Sequence, residues 1–199
     1  MTYYYFDIET VPLEEHKSEF DSSIKNKTID PSKNKIITIQ FQPIWSDSGR
    51  PKGDLTILKE WESDEENIVK SFAGYMFPKD CPSEKIHWAF VPIGNNLMYE
   101  FKFLIPRLRK YCGIDVDIFE KPFLDLKHTL IVMNKGKFSG YSQPIGKIGE
   151  ASNMTEWYYS GQHNKIIDYI QRETNSFINN YQVIMREIPN IRGKLIADT

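Results

Sequence analysis

Two acids stand two residues apart in the stretch Tyr3-Tyr4-Tyr5-Phe6-Asp7-Ile8-Glu9-Thr10. The aromatics and Ile8 favour a strand. Residues i and i+2 of a strand share a face, so Asp7 and Glu9 project together on the side of Tyr3 and Tyr5. Tyr4, Phe6 and Ile8 point the other way and are candidate core. Paired carboxylates on an otherwise apolar strand repel each other and are costly to bury. A divalent cation relieves both problems, and carboxylate oxygens suit the hard ions Mg²⁺ and Mn²⁺. The plainer account is a strand end emerging into water, where acids are ordinary.

The elements that must position such a pair follow from periodicity. Residues 36–41 alternate apolar and polar and read as a second strand. The polar, glycine-containing stretch 45–54 fits a hairpin connection, and residues 55–58 a third strand. Ser63-Asp64-Glu65-Glu66 reads as a capping box before a helix whose stripe is Ile68, Val69, Phe72 and Met76. Trp88 to Ile93 is a fourth apolar strand, and Gly94-Asn95-Asn96 a turn. A second helix from Leu97 carries Phe101, Leu104, Leu108 and Tyr111. The short apolar pair Phe123-Leu124 ends at Asp125, and residues 126–133 form a further helix. A last helix over about residues 164–187, with Ile166, Ile170, Phe177, Tyr181 and Ile184 on one side, is expected to stop at Pro189. Residues 12–30 are a polar excursion and residues 136–153 mostly loop. Hairpin strands followed by alternating strands and helices indicate an α/β sandwich on a mixed sheet.

Composition narrows the function classes. The chain has 199 residues, 40% of them hydrophobic, enough for one sizeable core, so one domain over 1–199 is expected. A net charge of -2 gives no global basic field for nucleic acid, although a local patch or a bound metal can supply attraction. Cys81 and Cys112 are too few and too far apart for a disulfide framework or a zinc site, and read as ordinary thiols of a reducing compartment. No apolar run has transmembrane length and no signal peptide is present, so a soluble cytoplasmic protein without a membrane partner is expected.

Three regions, in order, resemble the motifs of the DEDD 3′–5′ exonucleases. Phe6-Asp7-Ile8-Glu9-Thr10 resembles the first motif. Asn96, Tyr99 and Leu104 match the second, with Glu100 where Asp is usual. The third has two registers. In one, Tyr169-Ile170-Gln171-Arg172-Glu173 resembles the Tyr-x-x-x-Asp form, again with Glu for Asp. In the other, His163 and Asp168 fit the His-x-x-x-x-Asp form. Tyr159, Gly161, Ile166, Tyr181 and Arg192-Gly193 favour the first register and resemble exonucleases related to the family B DNA polymerase domain. Asp125 sits where such proteins often carry an Asp-Leu pair.

The resemblance implies a ribonuclease H-like three-layer sandwich, with a mixed sheet of about five strands flanked by helices. It implies a metal-dependent 3′–5′ exonuclease acting on single-stranded nucleic acid, DNA ahead of RNA, with two Mg²⁺ or Mn²⁺ ions. Asp7, Glu9 and Glu173 would bind metal, with Asp7 shared by both ions. Glu100 would serve the second ion, and Tyr169 would orient the attacking water. Thr10, Asn96 and Tyr99 would contact the nucleic acid. The two Asp-to-Glu departures keep a second reading open, in which a catalytically impaired module binds nucleic acid or a partner protein. Outside the resemblance, Glu100 and Glu173 would pass for solvated helix residues. Lys102, Arg107, Arg109 and Lys110 form a basic cluster able to meet phosphates. Tyr141, Trp157, Tyr158 and Tyr159 could stack bases or cover core.

Overall fold

A computed structural model describes residues 1–17, 30–139 and 153–197, with side chains up to Ile191. Five strands form one mixed sheet: β1 (Tyr3–Pro12), β2 (Asn34–Ile44), β3 (Thr56–Lys59), β4 (Val91–Gly94) and β5 (Leu124–Asp125), in the order β3-β2-β1-β4-β5. β1 pairs antiparallel with β2, and β2 with β3. β1 pairs parallel with β4, and β4 with β5. The strand that carries Asp7 and Glu9 is therefore the central one.

Helices cover both faces of the sheet. On one face, Phe6, Ile8, Ile39 and Phe41 pack against α1 (Glu65–Met76) and α3 (Leu97–Arg107). Between these helices comes the short α2 (Ile86–Ala89). On the other face, Tyr5, Ile44 and Ile93 meet Leu126 and Leu130 of α4 (Leu126–Met133) and Phe177, Ile178, Tyr181 and Ile184 of α6 (His163–Ala197). Val11 and Ile37 continue this second face against Trp157 of α5 (Met154–Tyr159) and Ile166, Tyr169 and Ile170 of α6. The expected alternation of β1 thus holds, and both of its faces are covered.

The pairing of β1 with β2 slips between Glu9 and Thr10, where Thr10 faces Ile36 and Ile37 is the extra residue. Such a bulge adds local twist. It also lets Ile36 and Ile37 pack into different clusters.

Several boundaries differ from those expected. Trp88 belongs to α2 and not to the fourth strand, which begins only at Val91, opposite Tyr3. Val91 donates to Thr2 on the β1 side. Pro92 therefore turns its missing donor toward β5, which pairs only from Ile93 onward. The cap of α1 is Asp64 and not Ser63: the Asp64 carboxylate accepts from the Asn67 backbone N–H at 2.7 Å. α6 runs through Pro189. The residues around Pro189 are exposed, so the carbonyl left without its usual donor is solvated. The stripe of α3 breaks at a wide turn, Leu108–Cys112, which leaves Leu108 buried and Tyr111 half-buried. Most of the excursion over 12–30 and of the loop over 136–153, with Tyr141, lies outside the described residues. Among the described residues, no helix is long and apolar enough to cross a membrane.

Candidate metal centre

Asp7 and Glu9 lie on β1, which carries them to the face covered by α6. Helix α6 crosses that face and brings Glu173 down onto them. Asp7, Glu9 and Glu173 each offer a carboxylate oxygen, and these atoms lie within 4.8 Å of one another. All three residues are half-buried. At that spacing each unit-charge pair repels by about 0.9 kcal/mol in bulk water and about 3.5 kcal/mol at an effective dielectric of about 20. An all-oxygen donor set of this kind fits a hard divalent cation such as Mg²⁺ or Mn²⁺.

Tyr169 stands one helical turn before Glu173, on the same side of α6. Its ring is 2% exposed and packs beside Trp157. Burial raises its pKa far above the ordinary tyrosine value. The negative charges of Glu9, Glu173 and Asp7 and a hydrogen bond to Glu173 push the same way. The Tyr169 hydroxyl is therefore held neutral beside Glu173, as a donor. Tyr5, also buried, donates to Asp7 Oδ2 at 3.4 Å, and its pKa is raised mainly by burial and then by Asp7.

The second group of candidates lies at the C-terminal end of β4. Gly94 packs so closely on β1 that an added Cβ would sit 2.8 Å from the Phe6 carbonyl oxygen and 2.6 Å from Leu97 Cδ2. The chain then turns through Asn96, whose backbone is left-handed with φ 68°. Asp125 holds this turn: its Oδ1 accepts from the Asn96 N–H at 2.7 Å and from the Lys127 N–H at 2.9 Å. Lys127 Nζ donates to Asn96 Oδ1 at 2.7 Å. Tyr99 reaches across to Thr10, with 3.1 Å between the two hydroxyls. Burial, more than the nearby Glu100, Glu9 and Asp7, pushes its pKa up to about 12.

Glu100 is placed differently from the other acids. It is 5% exposed on α3, so it is no solvated helix residue, yet it lies outside the cluster of three. The alternative third-motif pair is outside the cluster too. His163 stacks on Trp61 with ring centroids 4.4 Å apart, and Asp168 is exposed. Of the basic cluster, Arg107 is engaged by Glu65 and by the carbonyls of Pro31 and Asn34, and Arg109 by Asp115. Trp157 is buried. The Tyr158 hydroxyl is held by Lys35 and Glu60, and the Tyr159 hydroxyl donates to the Pro12 carbonyl. These aromatics serve the packing of α5.

Sequence reasoning passed over Tyr5, Thr38, Gln40 and Lys127. Tyr5 and Gln40 were findable in principle: one precedes Asp7 by two on its face, and the other lies in a strand expected beside it. In comparison with known proteins, no family model and no curated sequence matches this chain.

Proposed function

We propose that the protein is a metal-dependent nuclease of the DEDD type, with a ribonuclease H-like fold, that removes nucleotides from the 3′ end of single-stranded nucleic acid, DNA in preference to RNA. The observation that carries this reading is the meeting of Asp7 and Glu9 on the central strand with Glu173 on the last helix, beside the Tyr169 hydroxyl. The central place of β1 in a mixed sheet, with helices over both faces, supports the fold assignment.

Asp7, Glu9 and Glu173 would hold Mg²⁺ or Mn²⁺, with Glu100 serving a second ion from α3. Bound metal would supply activation of water, neutralisation of the phosphate and relief of charge on the leaving 3′ oxygen. Tyr169, a neutral donor beside Glu173, orients the attacking water and leaves the carboxylate to accept its proton. Asn96, held by Asp125 and Lys127, and the Tyr99–Thr10 pair line the approach and contact the strand being cut. The Glu173 oxygen meets those of Asp7 and Glu9, which supports a place for the longer side chain in the cluster.

The test is degradation of a 5′-labelled single-stranded DNA with Mg²⁺, with Mn²⁺ and with chelator, beside Asp7→Ala. A ladder shortening from the 3′ end, absent with chelator and in the variant, is expected. A circular substrate that is also cut would point to an endonuclease. No cleavage with either metal, on DNA or on RNA, would favour the second reading, a binding module. The observation on its side is Glu100, which is not in the group of acids whose oxygens lie within 4.8 Å of one another.

A further inference from the structure

Two polar side chains are fully buried in the middle of the sheet. Thr38 and Gln40 on β2 are each 0% exposed. Gln40 pairs directly with Asp7, and Thr38 with Glu9, so all four project to the same face. A buried hydroxyl and a buried primary amide are costly unless their hydrogen bonds are made.

Here the bonds form a directed chain. Thr38 Oγ1 donates to Gln40 Oε1 at 2.9 Å. With its oxygen held, the amide turns its NH₂ toward Asp7, and Nε2 donates to Asp7 Oδ2 at 3.3 Å. The opposite amide orientation would set an acceptor against an ionised carboxylate, which only accepts. Asp7 therefore sets the orientation of the Gln40 amide, and the Thr38 hydroxyl, which can donate or accept, holds the amide in place from its other end. A Thr–Gln pair that only filled space would gain nothing over an apolar pair of similar size, because replacing both partners of a buried bond is nearly neutral. What an apolar pair cannot supply is the donor to Asp7.

We propose that Gln40, anchored by Thr38, is a positioning residue that fixes how the Asp7 carboxylate presents itself to a divalent cation. The inference rests on the reading of Asp7, Glu9 and Glu173 as a cation site. Partners that orient metal ligands from behind typically contribute about 10- to 100-fold to metal affinity.

The experiment is Mn²⁺ titration of the full chain without nucleic acid, followed by calorimetry and by the electron paramagnetic resonance signal of free Mn²⁺. The proteins are the wild type, Gln40→Met, Thr38→Val and the double variant, each also melted in chelator. Gln40→Met is expected to weaken Mn²⁺ binding about 10- to 100-fold and to melt lower in chelator, because it leaves the buried Thr38 hydroxyl without its acceptor, whereas the double variant, which removes both partners, should melt closer to the wild type. Thr38→Val should weaken binding less. The double variant should bind as Gln40→Met does, because Thr38 acts only through Gln40 and the effects do not add. A purely structural role would leave Mn²⁺ affinity unchanged in every folded variant, whatever its melting temperature. The near-isosteric Thr38→Val carries the test if Gln40→Met does not fold. Wild-type affinity in a folded Gln40→Met overturns the proposal, as does a full additive loss in the double variant. A wild type that binds no Mn²⁺ overturns the cation site itself, and is told apart because the failure appears before any substitution.

Discussion

Replacing Asp7 with Asn should make the protein more stable without metal and less responsive to it. In the wild type the Asp7 oxygen lies within 4.8 Å of those of Glu9 and Glu173. The substitution removes two repulsive pairs, each between about 0.9 kcal/mol in water and about 3.5 kcal/mol at an effective dielectric of about 20. Proton uptake by one acid caps the strain: protonating a carboxylate of ordinary pKa at pH 7 costs about 4 kcal/mol. The donors on Asp7 Oδ2, from Gln40 and Tyr5, keep an amide oxygen to bond, less strongly than a carboxylate, which subtracts about 1 kcal/mol. The net gain is about 1–3 kcal/mol. For a chain of this size each kcal/mol moves the melting temperature by about 2–4 °C, so Asp7→Asn should melt several degrees higher in chelator.

Divalent cation reverses the order of gain. If the three acids hold the cation as proposed, Mn²⁺ at about 100 times its dissociation constant should stabilise the wild type by about 2.7 kcal/mol and the variant far less. Differential scanning calorimetry of both proteins, in chelator and in a Mn²⁺ series, measures all four quantities. A variant that melts below the wild type in chelator would show that the three acids are not mutually strained. Equal Mn²⁺ shifts in the two proteins would show that Asp7 is no ligand.

Glu173→Gln should weaken Mn²⁺ binding and nuclease activity by at least about 10-fold, while the exposed Asp168→Asn changes neither; the reverse ranking in a side-by-side assay would restore the His163/Asp168 register. Gly94→Ala should cost about 1–3 kcal/mol by overpacking, because the new Cβ meets the Phe6 carbonyl and Leu97; chemical denaturation measures it, and an unchanged midpoint would refute the close approach. Tyr99, with a folded pKa of about 12, stabilises the fold fully below the ordinary tyrosine pKa of about 10. That contribution is lost as pH rises through about 12, so Tyr99→Phe should flatten the fall in stability above pH 10 in a pH series of melts. Tyr169→Phe should lower turnover with little effect on binding of a single-stranded substrate, since in the proposed mechanism its hydroxyl acts mainly in the transition state; a variant that loses binding and keeps turnover would assign Tyr169 to substrate contact.

How much of this was readable from the chain depends on how local each signal is. The alternation of β1 carries its own evidence, because period-2 spacing alone sets Asp7 and Glu9 together. The stripe of α6 is as plain, and it sets Tyr169 and Glu173 on one side. That this side meets β1 is not local, and only the resemblance to a known family linked the two. Thr38 and Gln40 mislead in isolation: polar residues alternating with isoleucines look like the solvated face of a half-buried strand. They are buried because α6 covers that face, a fact of the tertiary structure. Trp88 misleads the other way, since an apolar run cannot say that the strand starts only where a neighbour is there to pair with it. Pro189 reads as a stop in the sequence, but an exposed helix loses one bond there and continues.

The acids of the cluster come from opposite ends of the fold, Glu9 on the first strand and Glu173 on the last helix, with about 160 residues between them. Closing so long a segment has a logarithmic entropic cost, and nothing local repays it. Until α6 docks, an incomplete chain displays only the pair Asp7 and Glu9, a poor cage for a cation. On the proposed reading, affinity for metal would therefore appear only with the docking of α6. Bound cation would act on that step as a latch, slowing the departure of α6 more than it speeds its arrival, so its main kinetic signature would be a slower unfolding rate.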